Sequence, residues 1–159
     1  MTWSIIARDK RTGGGFAAYT GAACIDGCGH ALPESYSVAG NMLAGPAVLA
    51  ATIRGYDDHV DLPLGRRLIA MRAGEAAGGD KRGKQSAALL VHDQEDYPLN
   101  DLRVDDHPDP PAELARLETI ARQRWVHFRH MPGRRTFSGR IDRDTLEPLI
   151  AASIAEGYE

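Results

Sequence analysis

The run Ser86 to His92, Ser-Ala-Ala-Leu-Leu-Val-His, constrains the fold most. Its unbroken apolar stretch reads as a strand buried on both faces, and such a strand needs a covering layer on each side of its sheet. Leu99 to Val104 is a second strand candidate, near enough to form a hairpin with the first. Around this pair the chain offers the helices that would supply the cover.

From Pro46, the positions Val48, Leu49, Thr52 and Ile53 recur at helical spacing, with Gly55 expected to end the helix. A second helix is expected from about Leu64 to Ala76 through Leu68, Ile69 and Met71, closing at Gly78-Gly79 and pairing with the first. Pro110-Pro111 opens what reads as the longest helix, with Leu114, Leu117, Ile120 and Ala121 on one face and Trp125 and Phe128 continuing it. After a polar break over Met131 to Gly139, Asp142 begins a last helix through Leu146, Leu149, Ile150 and Ile154. Near the start, Thr2 to Ala7, Phe16 to Thr20 and Ser35 to Ala39 read as short strands around a loop rich in Gly and Cys. Strands mixed with paired helices predict an α+β protein with a sheet covered by helices. At 159 residues, one domain spanning 1–159 is sufficient.

Hydrophobic residues at 43% and charged residues at 26% disfavour disorder and coiled coil. A net charge of −3 gives no basic field for a phosphate backbone, so nucleic acid is not an expected partner. No segment reaches the run of about 18 apolar residues that a membrane span needs, and the start lacks a leader pattern, so a cytoplasmic, non-membrane protein is expected. No cofactor is expected, and a homo-oligomer is left open. Cys24 and Cys28 read as reduced thiols ahead of a disulfide or a zinc site, for which His30 is the one further ligand nearby.

Two constellations carry chemistry. In Ala77-Gly78-Gly79-Asp80-Lys81-Arg82-Gly83-Lys84-Gln85-Ser86, three glycines let the backbone approach a ligand, while Asp80, Arg82 and Lys84 suit a polar substrate. Gln85 stands where a P-loop needs Ser or Thr, and a strand follows rather than a helix, which excludes a nucleotide P-loop. The plain alternative is a helix C-cap joined to a turn with solvated charges. The second constellation is Asp101 to Asp109, where Asp105, Asp106 and His107 could bind a hard cation or do acid/base work. Its plain alternative makes Asp106 or Asp109 the cap of the following helix. Thr2, exposed if Met1 is removed, would combine a hydroxyl nucleophile with its own α-amine as base.

Taken together, Thr2 to Asp9, Ala18-Tyr19-Thr20-Gly21, Ala39 to Gly45, Ala77 to Ala88 and Leu102 to Pro110 resemble the domain-of-unknown-function 1028 family, over most of residues 1 to about 120. That family is grouped by fold with the N-terminal-nucleophile (Ntn) hydrolases. The resemblance implies an αββα sandwich, a nucleophile at the start of the first strand, which Thr2 matches, and amide hydrolysis as an inference from fold kinship. Relative to the family, several dozen residues are absent between the first strand and Phe16, either by deletion or through a segment left out at Gly13-Gly14-Gly15. The expected function is an amidohydrolase acting on a small polar amide or peptide-like substrate, with Thr2 catalytic and Asn41, Gly79, Asp80, Arg82, Lys84, Gln85 and Asp105 binding substrate. The alternatives are a non-catalytic small-molecule or peptide-binding module on the same fold, and a metal-dependent hydrolase built on Asp80, Asp105, Asp106 and His107.

Overall fold

A computed structural model of the chain describes residues 5–8, 16–62, 65–92, 95–125, 127, 133, 139 and 143–156. Helices and strands are mixed as an α+β protein requires, and the chain divides into two compact units, Met1–Lys84 and Gln85–Glu159.

In the first unit, β1 (Ile5–Arg8) pairs antiparallel with β2 (Phe16–Tyr19), Ile5 opposite Tyr19 and Arg8 opposite Phe16. A second ladder joins β3 (Gly29–Ala31) to β4 (Val38–Gly40). The sequence placed the latter strand at 35–39 and gave β3 to a loop. A three-residue strand opening on glycine carries too little alternation to be seen.

Pro46, with its fixed φ and missing N–H, starts α1 (Pro46–Asp57), and α2 (Gly65–Ala76) packs against it. Gly55 does not end α1 as expected. It is buried inside the helix, where a Cβ would lie 2.9 Å from that of Ala73 and 3.1 Å from the Cα of Ala70. Across the same interface, a Cβ on Gly74 would collide with Thr52 Oγ1, whose hydroxyl donates back to Val48 O. Glycine at both positions is therefore the condition for the close approach of the two helices. Val48, Leu68 and Ala70 form the buried apolar contact.

In the second unit, β5 (Ala87–Val91) and β6 (Asn100–Val104) form the expected antiparallel hairpin, Ala87 opposite Val104 and Val91 opposite Asn100. Leu89, Val91 and Val104 are buried, whereas Leu90 is 58% exposed, so β5 is buried on one face and not on two. The continuous apolar run conceals an ordinary period-2 strand. α3 (Pro110–Ile120) lies on both strands and is followed by a π-helical turn, Ala121–Trp125.

The buried stripe of this segment is Pro110, Pro111, Leu114, Glu118 and Ala121, while Ile120, expected inside, faces out. Glu118 is admitted because Arg122 covers its carboxylate with two bonds, Nε at 2.7 Å and Nη2 at 2.8 Å. The last helix, α4 (Arg143–Glu156), is longer than α3, and its Leu146, Ile150 and Ser153 are buried, while Leu149 and Ile154 are exposed. Ser153 Oγ hydrogen-bonds His127 Nε2. The expected positions Asp142 and Phe128 and most of the 131–139 break lie outside the described residues.

Leu114 has no solvent exposure, so Leu114→Ala should lower the unfolding free energy by about 2–5 kcal/mol through lost transfer energy and a residual cavity. Leu90→Ala, on the open face of β5, should cost less than about 1 kcal/mol. Chemical denaturation of the two variants checks the contrast.

Candidate functional site

The Gly-rich loop begins as the end of a helix. Gly79 N–H donates to Gly74 O and Gly78 N–H to Glu75 O, the paired bonds of a Schellman cap, with φ of +121° at Gly78 and +54° at Gly79. The helix-cap reading of this stretch is therefore correct for its first half. The second half is a turn from Asp80 to Gly83, closed by Gly83 N–H to Asp80 O at 3.0 Å, with Asp at its first position and Gly at its last.

Between cap and turn, the backbone is tied to residues 42–44. Ala44 N–H donates to Gly79 O at 2.9 Å and Lys81 N–H to Met42 O at 2.7 Å, forming an antiparallel bridge of Leu43 with Asp80. On its other side, Leu43 N–H donates to Gly27 O at 2.8 Å, and Gly27 (φ +84°) sits so close to Leu43 O that a Cβ would collide with it. Met42 holds φ +57°, a left-handed conformation costly to a residue with a side chain and common at functional sites. Asn41 precedes it and is exposed.

Asp80 and Arg82 are paired with each other within the loop. Asp80 Oδ1 accepts Arg82 N–H at 2.8 Å and Arg82 Nε at 2.9 Å, and Oδ2 accepts Nη2 at 2.6 Å. These bonds from Arg82 hold the Asp80 carboxyl down at about 2. Asp80 occupies one edge of the guanidinium, so the edge formed by Nη1 and Nη2 is available to a carboxylate or carbonyl from a side chain that is 65% exposed. Lys84 Nζ lies 3.3 Å from Glu75 Oε1, and Lys81 Nζ donates to Asp26 O at 3.1 Å. Asn41, Gly79, Asp80, Arg82 and Lys84 all belong to the first unit.

Gln85 and Asp105 belong to the second unit, where β5 and β6 set the geometry. Gln85 O accepts His107 N–H at 3.0 Å, and Gln85 Nε2 donates to Asp106 Oδ1 at 3.2 Å. His107 Nδ1 accepts Asp109 N–H, which places the proton of the neutral ring on Nε2. Asp105 forms an exposed ion pair with Arg103 at 2.7 Å. Asp109 stands at the N-cap of α3, yet makes no side-chain capping bond, contrary to the capping expectation. Among the described residues, no group of three or more His, Cys, Asp or Glu side chains is arranged to hold a metal ion.

Thr2 and Gly13 to Gly15 lie outside the described residues. Sequence reasoning missed Glu75, Lys81 and Met42 as parts of the loop's framework. Met42 carries no residue-type signal for a left-handed backbone, and the other two are ordinary charges on a helix and in a turn. It also missed a separate cleft of about 270 Å³ in the first unit, walled by Tyr36, Val38, Thr52, Tyr56, Ala70 and Met71. There the Tyr36 and Tyr56 rings approach to 4.5 Å, and Tyr36 O–H donates to Asp57.

The elements and the laced loop make an α+β protein with a polar loop at the end of a helix pair. The chain belongs to the family of unknown function DUF1028, which matches residues 11–114. A Silicibacter pomeroyi protein of that family, known from its crystal structure, is 32% identical, with a TM-score of 0.68. The match covers 79% of this chain and 54% of that one, so the chain spans about half the length of this relative. No curated protein matches the sequence. Among the described residues, no helix is long and apolar enough to cross a membrane.

Because the folded Asp80 carboxyl sits near 2, below its ordinary 3.8, the pair with Arg82 stabilises the fold at pH above 3.8, and this contribution fades as pH falls through about 2. A carboxyl-detected NMR titration should find the Asp80 midpoint near 2, and Arg82→Met should return it towards the ordinary value. An unchanged midpoint in Arg82→Met would show that the guanidinium is not the cause.

Proposed function

We propose that the protein is an amidohydrolase of the N-terminal-nucleophile type, with the αββα sandwich of that group, acting on a small polar amide or peptide-like substrate. The observation that carries the reading is the lip at Asp80: a backbone laced to a strained Met42, presenting the outer edge of the Arg82 guanidinium. Such an edge binds a carboxylate bidentately, so a substrate held there by its acid group would keep its amide fixed for attack. Asn41, Gly79 and Lys84 are the further binding groups assigned within the first unit. A small or peptide-like substrate is the only partner this reading requires, in a cytoplasmic setting.

The nucleophile assignment rests on kinship with the Ntn hydrolases through the family, and on the position of Thr2 three residues before β1 in the sequence. In the reaction, Thr2 Oγ attacks the substrate carbonyl while the α-amine takes the hydroxyl proton. That proton passes to the departing amine as the C–N bond breaks, leaving an ester on Thr2. Water then attacks the ester, and Thr2 regains its hydroxyl as the acid is released.

Intact-mass measurement and a screen of short carboxylate-bearing amides test this. The expected outcome is loss of Met1 and a fall in turnover of about a thousandfold or more in Thr2→Ala. Arg82→Gln should chiefly raise KM, because the guanidinium binds substrate and does not react. Full activity in Thr2→Ala, or in protein retaining Met1, would overturn the nucleophile. Binding of these amides without turnover would leave a non-catalytic ligand-binding module on the same fold.

A further inference from the structure

The cleft between α1, α2 and the chain entering β4 has no part in the function proposed above, and none of the residues assigned to substrate lines it. Its base is set by the glycine contacts of the helix pair. With Gly55 against Ala70 and Gly74 against Thr52, the two helices already touch at backbone distance and cannot close further over the space. One wall is aromatic: the Tyr36 and Tyr56 rings meet at 4.5 Å with their planes 46° apart. The Tyr36 hydroxyl holds that wall in place by donating to Asp57 Oδ1 at 2.7 Å, at the last residue of α1. Val38, Ala70 and Met71 add apolar surface, and the Met71 thioether is suited to the edge of an aromatic ring.

Arg67 carries the only charge in this lining. It is half-buried in the first turn of α2, where the helix dipole is positive and no acidic side chain stands. A guanidinium has five N–H donors in one plane, so it can take up a ligand acid group while keeping a partner within the protein. A volume of about 270 Å³ has room for one ring and a short acid arm, and falls short of what a large ligand needs.

We propose that this cleft is a binding site for a small aromatic carboxylate, its ring seated against Tyr36, Tyr56 and Met71 and its acid group on Arg67. Each part of the ligand answers a different part of the wall. An acid without a ring would leave the apolar surface in water. A neutral ring would displace water from the guanidinium without replacing its hydrogen bonds. The tilted tyrosines offer both a ring face and a ring edge, which a flat guest can meet and a puckered aliphatic one cannot.

The test titrates the full chain with phenylacetate, phenylacetamide and cyclohexylacetate by calorimetry, and follows the Met71 methyl signal by NMR. Phenylacetate should bind one to one and shift that signal, with the neutral amide weaker by about tenfold and the non-aromatic acid several-fold weaker. Arg67→Gln should weaken phenylacetate by about tenfold and leave phenylacetamide unchanged, a split that loss of folding would not produce. Arg82→Gln should change neither. Absence of saturable phenylacetate binding, or binding that leaves the Met71 methyl unmoved, would overturn the site. Equal affinity for phenylacetamide would overturn the acid group, and equal affinity for cyclohexylacetate the aromatic class. Weakening in Arg82→Gln and not in Arg67→Gln would move the acid to the polar loop and overturn this assignment. None of these readouts involves turnover, so failure of the hydrolase reading leaves the proposal intact.

Discussion

Met42, Leu43 and Ala44 direct their backbone hydrogen bonds to two distant parts of the chain, and the first unit depends on that arrangement. These residues stand just before α1, and their partners Gly79 to Lys81 stand just after α2. The Leu43–Asp80 bridge therefore ties the entrance of one helix to the exit of its neighbour, closing the helix pair at its base. Backbone groups in such a segment must find partners or lose free energy, and here each segment supplies those of the other. The strain at Met42 is sustained by bonds on both sides of it.

The helix pair could be read from the sequence because its signals are local: Pro46 at one end, Gly78-Gly79 at the other and apolar spacing between. What Gly55 does could not be read this way. A glycine late in an amphipathic run looks like a stop, and only the neighbouring backbone of Ala70 shows that it is a contact. The same holds for Leu90, which belongs to an apolar run but faces outward, and for Glu118, a charge admitted to the interior because Arg122 is one turn away. Burial is decided by what lies opposite, which no single segment records.

The polar loop was legible to a similar depth. Three glycines among charges announced both a helix end and a close backbone approach, and the structure contains both, the cap up to Gly79 and the bridge at Asp80. The pairing of the charges was not legible. Asp80 and Arg82 stand two apart, which in a helix would turn them away from each other, but the Asp80–Gly83 turn folds them together. Asn41 and Asp80 were both singled out by residue type, yet the residue that links them, Met42, was passed over because its importance lies in its φ.

The internal pairing of these charges shapes what the site can do. An ion pair on an exposed surface is worth little net free energy, so a ligand carboxylate can share or take over Arg82 at small cost. Asp80 is held differently, since the Arg82 backbone N–H also binds its Oδ1 and its own backbone lies in the bridge with Leu43. If the guanidinium turns to a ligand, the carboxylate stays where it was and remains an acceptor for a donor on that ligand. In the proposed reading, a fixed acceptor beside an adaptable donor would suit a ligand carrying an N–H near an acid group, as short amides and peptides do.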